Sequence, residues 1–140
     1  MPLDQSALAT LRIRGAAAAD RVAVHAPLVF DASVKQIVQL LAGRTLVLEP
    51  EEARLDAPLL TRYLAERQVD VLDVTPSQLE LLLDHDLGAA GAPSTVLVGG
   101  EAIPPDLWRR LAGHERIRFV DVYGPTETTV DATAETVRPG

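Results

Sequence analysis

Val69-Asp70-Val71-Leu72-Asp73-Val74-Thr75-Pro76-Ser77 is the stretch that decides the fold. Apolar residues dominate as far as Val74, which reads as a buried strand. Thr75 and Pro76 then supply a helix start, the threonine as N-cap and the proline in the first turn. The same succession repeats on either side. Downstream, residues 94–98 read as a strand, 104–113 as a helix with Leu107, Trp108 and Leu111 facing inward, and 116–122 as a strand. Residues 128–137 look like a further β segment. Upstream, 21–26 reads as a strand, 33–42 as a helix halted at Gly43, and 45–48 as a continuous apolar strand. Residues 57–67 form a helix with Leu59, Leu60, Tyr63 and Leu64 on one stripe. Strand-helix alternation of this kind implies an α/β fold, a mostly parallel sheet with helices on both faces and right-handed crossovers.

On such a sheet, ligands sit beyond the carboxyl ends of the strands. Asp31, Asp73, Gly99-Gly100 and Tyr123 all fall at those ends. The richest of them is Tyr123-Gly124-Pro125-Thr126-Glu127-Thr128-Thr129, which follows directly on the apolar strand. Gly124 allows a close backbone approach and Pro125 stiffens the turn. Thr126 can donate to a phosphate oxygen, and Glu127 offers hard oxygen to a magnesium ion that also holds phosphates. Tyr123 offers a flat face to a planar ring. The combination reads as a nucleoside triphosphate site.

That heptapeptide resembles a core motif of the adenylate-forming (AMP-binding) enzymes, in the spelling found in adenylation domains of nonribosomal peptide synthetases. Phe30-Asp31-Ala32-Ser33 is similar to the same family's substrate-ammonium motif, and Val98-Gly99-Gly100-Glu101-Ala102 to its adenine-side glycine turn. The resemblance implies a flavodoxin-like subdomain, with residues 1–140 as part of an adenylation domain that holds the substrate pocket. It implies an ATP-dependent ligase that joins an amino-acid carboxylate to the α-phosphorus of ATP, with magnesium as cofactor; part of another adenylate-forming ligase, of the acyl- or aryl-CoA synthetase type, or a binding-only module is the alternative. A pantetheine thiol on a partner carrier domain then takes the aminoacyl group. Thr126 and Glu127 are carried over as the catalytic phosphate and metal ligands. Gly99, Gly100, Glu101, Tyr123, Gly124 and Thr126 are carried over as the nucleotide contacts.

The substrate-pocket positions carried over in the same way are Asp31, Ala32, Lys35, Asp73, Leu97, Gly99, Val122, Val130 and Asp131. That set resembles the pattern of glutamate-activating domains, with glutamine-activating domains close to it. Bare sequence leaves plainer readings open. Asp31 is equally placed to be a helix N-cap, while the family's matching Asp grips the substrate ammonium. Lys35 lies about 6 Å from Asp31 across one helical turn, as an exposed ion pair or as partner to a γ-carboxylate. Asp73 and Asp131 can neutralise Lys35, in which case the pocket favours a neutral amide. Gly99-Gly100 is also a plain turn between strand and helix.

Composition narrows the classes. With 140 residues, 47% hydrophobic and 24% charged, the chain suits one globular domain. A formal charge of −7 argues against a nucleic-acid partner. The absence of cysteine excludes disulfides and thiolate chemistry and fits a cytoplasmic protein. The apolar runs at 16–19 and 26–30 are far too short to span a membrane, and no signal peptide is expected at the start. His25, His85 and His114 lack metal spacing and read as structural or solvated, and Trp108 as core packing. The family's phosphate loop is expected before residue 1, and its ribose-binding Asp, hinge and catalytic Lys beyond Gly140. The chain alone is therefore expected not to turn over.

Overall fold

The computed structural model describes residues 21–24, 43–91, 93–123 and 133–140. Its strands are β1 (Arg21–Val24), β2 (Thr45–Leu48), β3 (Val71–Val74), β4 (Thr95–Gly99), β5 (Arg118–Tyr123) and β6 (Thr133–Thr136). They form one six-stranded sheet in the order β2-β1-β3-β4-β5-β6. β1 through β5 are parallel, and β6 closes the sheet antiparallel to β5. The order 2-1-3-4-5 is that of a flavodoxin-like, doubly wound sheet, which changes direction between β1 and β3.

The described helices are α1 (Glu51–Arg54), α2 (Ala57–Glu66), α3 (Pro76–Asp84) and α4 (Pro105–Ala112). Local chemistry starts and stops them. The Asp56 carboxylate accepts from Leu59 N at 2.9 Å and caps α2. Thr75 and Gln78 form a reciprocal capping box at the start of α3, with Pro76 in its first turn. α4 begins at Pro105 and ends at Gly113.

Apolar pattern does the rest. Leu60 and Leu64 of α2, Leu79 and Leu82 of α3, and Leu107 and Leu111 of α4 are buried against one face of the sheet. There they meet Ala23, Val47, Leu72, Val74, Val96, Val98 and Phe119 in a single core. All the described helices contribute to that face; the helix expected at 33–42 lies outside the described residues. A second, smaller cluster of Leu97, Val120 and Val122 marks the opposite face. β2 is an edge strand tied to its neighbouring helix by the Tyr63 hydroxyl, which donates to Leu48 O at 2.7 Å. Among the described residues no helix is long and apolar enough to cross a membrane.

Where they fall on described residues, the expected strands and helices hold within a few residues; residues 25–26, 33–42 and 128–132 of those expectations lie outside the described residues. The short helix α1 has no counterpart in the sequence pattern. Glu51-Glu52-Ala53-Arg54 buries only Ala53, and so carries no apolar periodicity to read.

Candidate functional site

The register of the sheet decides which predicted residues stand together. Asp73 on β3 lies beside Leu97 on β4, which lies beside Val120 on β5. One pleat further on, Gly99 lies beside Val122. Because side chains alternate along a strand, Asp73, Leu97, Gly99 and Val122 share one face at the carboxyl ends of three adjacent strands. Leu97 and Val122 are buried there, and Asp73 is half-buried. The other residues expected in the substrate pocket, Asp31, Ala32, Lys35, Val130 and Asp131, lie outside the described residues. So do Gly124, Thr126 and Glu127. Tyr123 ends β5, paired with Thr133.

The glycine turn after β4 is fixed by its neighbours. A Cβ on Gly99 would lie 2.6 Å from both Cγ2 and the carbonyl oxygen of Val122. Gly100 has φ +87°, a left-handed conformation that favours glycine. Its backbone leans toward Thr75, whose Cγ2 would stand 3.5 Å from an added Cβ. Glu101 follows, and its Oε2 accepts from the Ser77 hydroxyl at 2.6 Å. Both glycines thus have a reason within the fold itself, in addition to any ligand they approach.

This turn forms one wall of a cleft of about 410 Å³ lined by Gly100, Glu101, Ala102, Ile103, Trp108, Asp121 and Val122. Its size falls in the range of small-ligand pockets. Asp121 is on the helix-bearing face, next to Val98 and directly opposite Glu135 of β6. Partial burial pushes its carboxyl above the ordinary carboxylate range, and the facing Glu135 charge pushes it further. Trp108 packs on the core, as expected, but it also forms part of the cleft wall. Its indole N–H donates to Arg138 O at 3.2 Å, which ties the segment after β6 to α4.

Asp121 and Ile103 were not singled out from sequence. Asp121 lies inside the strand expected at 116–122, where a charged residue among apolar ones is the signal that could have found it. Among the described residues, no three His, Cys, Asp or Glu side chains cluster as a metal site. His85 is exposed at the end of α3, and His114 accepts backbone hydrogen bonds from Arg116 N and Ile117 N.

Residues 4–140 match the AMP-binding enzyme family. The chain belongs to that family. It is 47% identical over 125 residues to the AMB antimetabolite synthetase AmbE of Pseudomonas aeruginosa, a match that covers 85% of this chain and 6% of the synthetase. A four-domain nonribosomal peptide synthetase solved in holo form with AMP and glycine superposes with a TM-score of 0.81 at 30% identity, covering 94% of this chain and 10% of that one. The Vibrio cholerae adenylation domain AlmE, solved with glycyl-adenosine-5'-phosphate, gives a TM-score of 0.73 at 27% identity, covering 86% of this chain and 23% of that one. The chain spans a small part of the length of each of these relatives.

Proposed function

We propose that this chain is the substrate-pocket part of an adenylation domain that activates an amino acid, with glutamate as substrate. The observation that carries the reading is the placement of Asp73, Leu97, Gly99 and Val122 on one face at the strand ends. The glycine turn that bounds them also bounds the cleft. Amino acid and nucleotide would meet across that turn. One oxygen of the amino-acid carboxylate attacks the α-phosphorus of ATP, the bond to the β-phosphate oxygen breaks, and pyrophosphate leaves with the electron pair. Positioning the two reactants supplies most of the acceleration in such a step.

In this reading Asp31 holds the substrate ammonium and Lys35 pairs with the γ-carboxylate. Leu97, Gly99 and Val122 shape an apolar floor, with Ala32 and Val130 completing the walls. The absence of a side chain at Gly99 leaves room for the substrate stem. Adenine enters the cleft between the Gly100–Glu101 backbone and Tyr123, and Thr126 donates to phosphate. The hard carboxylate oxygen of Glu127 suits magnesium, which when bound would neutralise phosphate charge. A carrier-bound pantetheine thiol receives the aminoacyl group afterwards. Asp73 and Asp131 bear on the choice of substrate. If they neutralise Lys35, the pocket takes glutamine instead.

The test is a graft of residues 21–137 into a complete adenylation domain of different specificity, assayed by amino-acid-dependent pyrophosphate exchange. Glutamate-dependent exchange that Lys35→Ala abolishes is the expected result. Glutamine-dependent exchange would assign Asp73 or Asp131 as the counter-charge. A folded, ATP-competent graft that keeps its old specificity would refute the pocket.

A further inference from the structure

Ser77 and Glu101 join two turns that lie 24 residues apart in sequence. Ser77 stands in the first turn of α3, after β3, and Glu101 in the turn after β4. The 2.6 Å separation between the Ser77 hydroxyl and Glu101 Oε2 is in the short range of a hydroxyl on a carboxylate. Both side chains are exposed, and the bond matters for the backbone that it ties together. The start of the β4 turn is set by steric exclusion, since Gly99 has no room for a Cβ against Val122. Beyond it, Gly100 at φ +87° has the wide conformational freedom of glycine. The exit of the turn therefore needs a separate restraint. Ser77 supplies it from a helix start that is itself held by the Thr75–Gln78 capping box.

Glu101 is also part of the cleft wall. Held by Ser77, its carboxylate is turned toward α3. Released, it is able to turn toward the cleft, where Asp121 already places a carboxyl. Two carboxyl groups facing the cleft would repel the phosphate of a nucleotide.

We propose that Ser77 is a positioning residue for the cleft, acting through Glu101 to fix the Gly100–Glu101–Ala102 wall and to keep the Glu101 carboxylate away from a bound nucleotide. The inference rests on the nucleotide reading of that cleft. It concerns the same turn that borders Asp73 and Gly99, so Ser77 also couples the β3 end of the site to the β4 end.

The experiment titrates the 140-residue chain with AMP and follows the fluorescence of Trp108, its single tryptophan, which lines the same cleft. Ser77→Ala should weaken AMP about fivefold, the scale of one like charge brought near a phosphate in water, while the urea midpoint stays near that of the parent because the lost bond is exposed. Ser77→Thr, which keeps the hydroxyl, should restore affinity. Ser77→Ala on a Glu101→Ala background should have no further effect. Unchanged AMP affinity in Ser77→Ala overturns the proposal, and so does equal weakening in Ser77→Thr. If the parent chain binds no AMP, the nucleotide reading of the isolated chain fails and the latch is judged by NMR relaxation. Increased backbone motion at Gly100, Glu101 and Ala102 in Ser77→Ala, with Val96 and Val98 unchanged, then supports it. No change at those residues overturns it.

Discussion

Gly99 and Val122 face each other across β4 and β5 so closely that a Cβ on the glycine would sit 2.6 Å from the carbonyl oxygen of the valine. The contact is with backbone as well as with side chain, so the valine cannot relieve it by changing rotamer. Gly99→Ala should destabilise the chain by about 1–3 kcal/mol, the usual range for overpacking. Adding Val122→Ala removes the clash with Cγ2 but leaves that with the carbonyl, so it should restore little. Urea unfolding of the single and double variants measures both. A Gly99→Ala chain as stable as the parent would mean that the two strands separate freely at this end.

Thr75 opens the helix that carries Ser77. Its hydroxyl oxygen accepts from Gln78 N at 3.3 Å, and its backbone N–H donates to Gln78 Oε1 at 3.2 Å. Thr75→Ala should cost about 1 kcal/mol of stability and Thr75→Ser only a fraction of that. Because the box holds the base of the Ser77–Glu101 link, Thr75→Ala should also weaken AMP binding where Thr75→Ser does not. Parallel urea and fluorescence titrations separate the two effects.

His114 sets a pH dependence at the far end of the sheet. Partial burial lowers its pKa from the ordinary 6.5, and the Arg116 and Arg110 charges lower it further. Its Nδ1 accepts from Arg116 N and Ile117 N, a role only the unprotonated nitrogen can fill. The folded state therefore binds this proton less readily than the unfolded chain. The stability contributed by neutral His114 is complete above the unfolded pKa and is lost as pH falls through the lowered folded value. His114→Asn keeps an acceptor and cannot take up charge. It should flatten the dependence of the melting temperature on pH below about 6.5, relative to the parent. Parallel pH curves for the two proteins would contradict this.

The sequence made the strands legible because parallel strands buried on both faces need continuous apolar runs, and Val96-Leu97-Val98 is such a run, buried throughout. The apolar run at 45–48 misleads in part, since β2 is an edge strand that leaves Leu48 65% exposed. Helix starts were legible where a cap is written in side chains, as at Thr75-Pro76. Strand order was not written there at all. The reversal between β1 and β3 depends on how the crossovers pass, not on any one segment. The site was legible as motifs, yet the reason for Gly99 was not. It is excluded from bearing a side chain by Val122, some twenty residues away in sequence and adjacent only through register. Trp108 illustrates the same limit. Its helical stripe reads as core, while its place in the cleft wall follows from where β5 and the Gly100 turn end.

Asp121 and Glu135 are paired directly across β5 and β6, where like charges oppose folding. Burial raises the Asp121 pKa first and the Glu135 charge adds to it, so the folded state holds this proton more tightly than the unfolded chain. The sign is opposite to that of a salt-bridged aspartate. Stability associated with protonated Asp121 is complete below the unfolded pKa and is lost as pH rises through the raised folded value. At neutral pH the ionised group subtracts from stability. Asp121→Asn, which fills the same space without the charge, should raise the melting temperature at pH 7, with the gain shrinking as pH falls toward the carboxylate range. Glu135→Gln removes the smaller cause and should give a smaller gain. The same Asp121→Asn change also removes one carboxyl from the cleft, so AMP should bind more tightly. Should it bind less tightly while stability rises, the carboxyl itself is a ligand contact, and its retention against the cost to folding is then explained by the site.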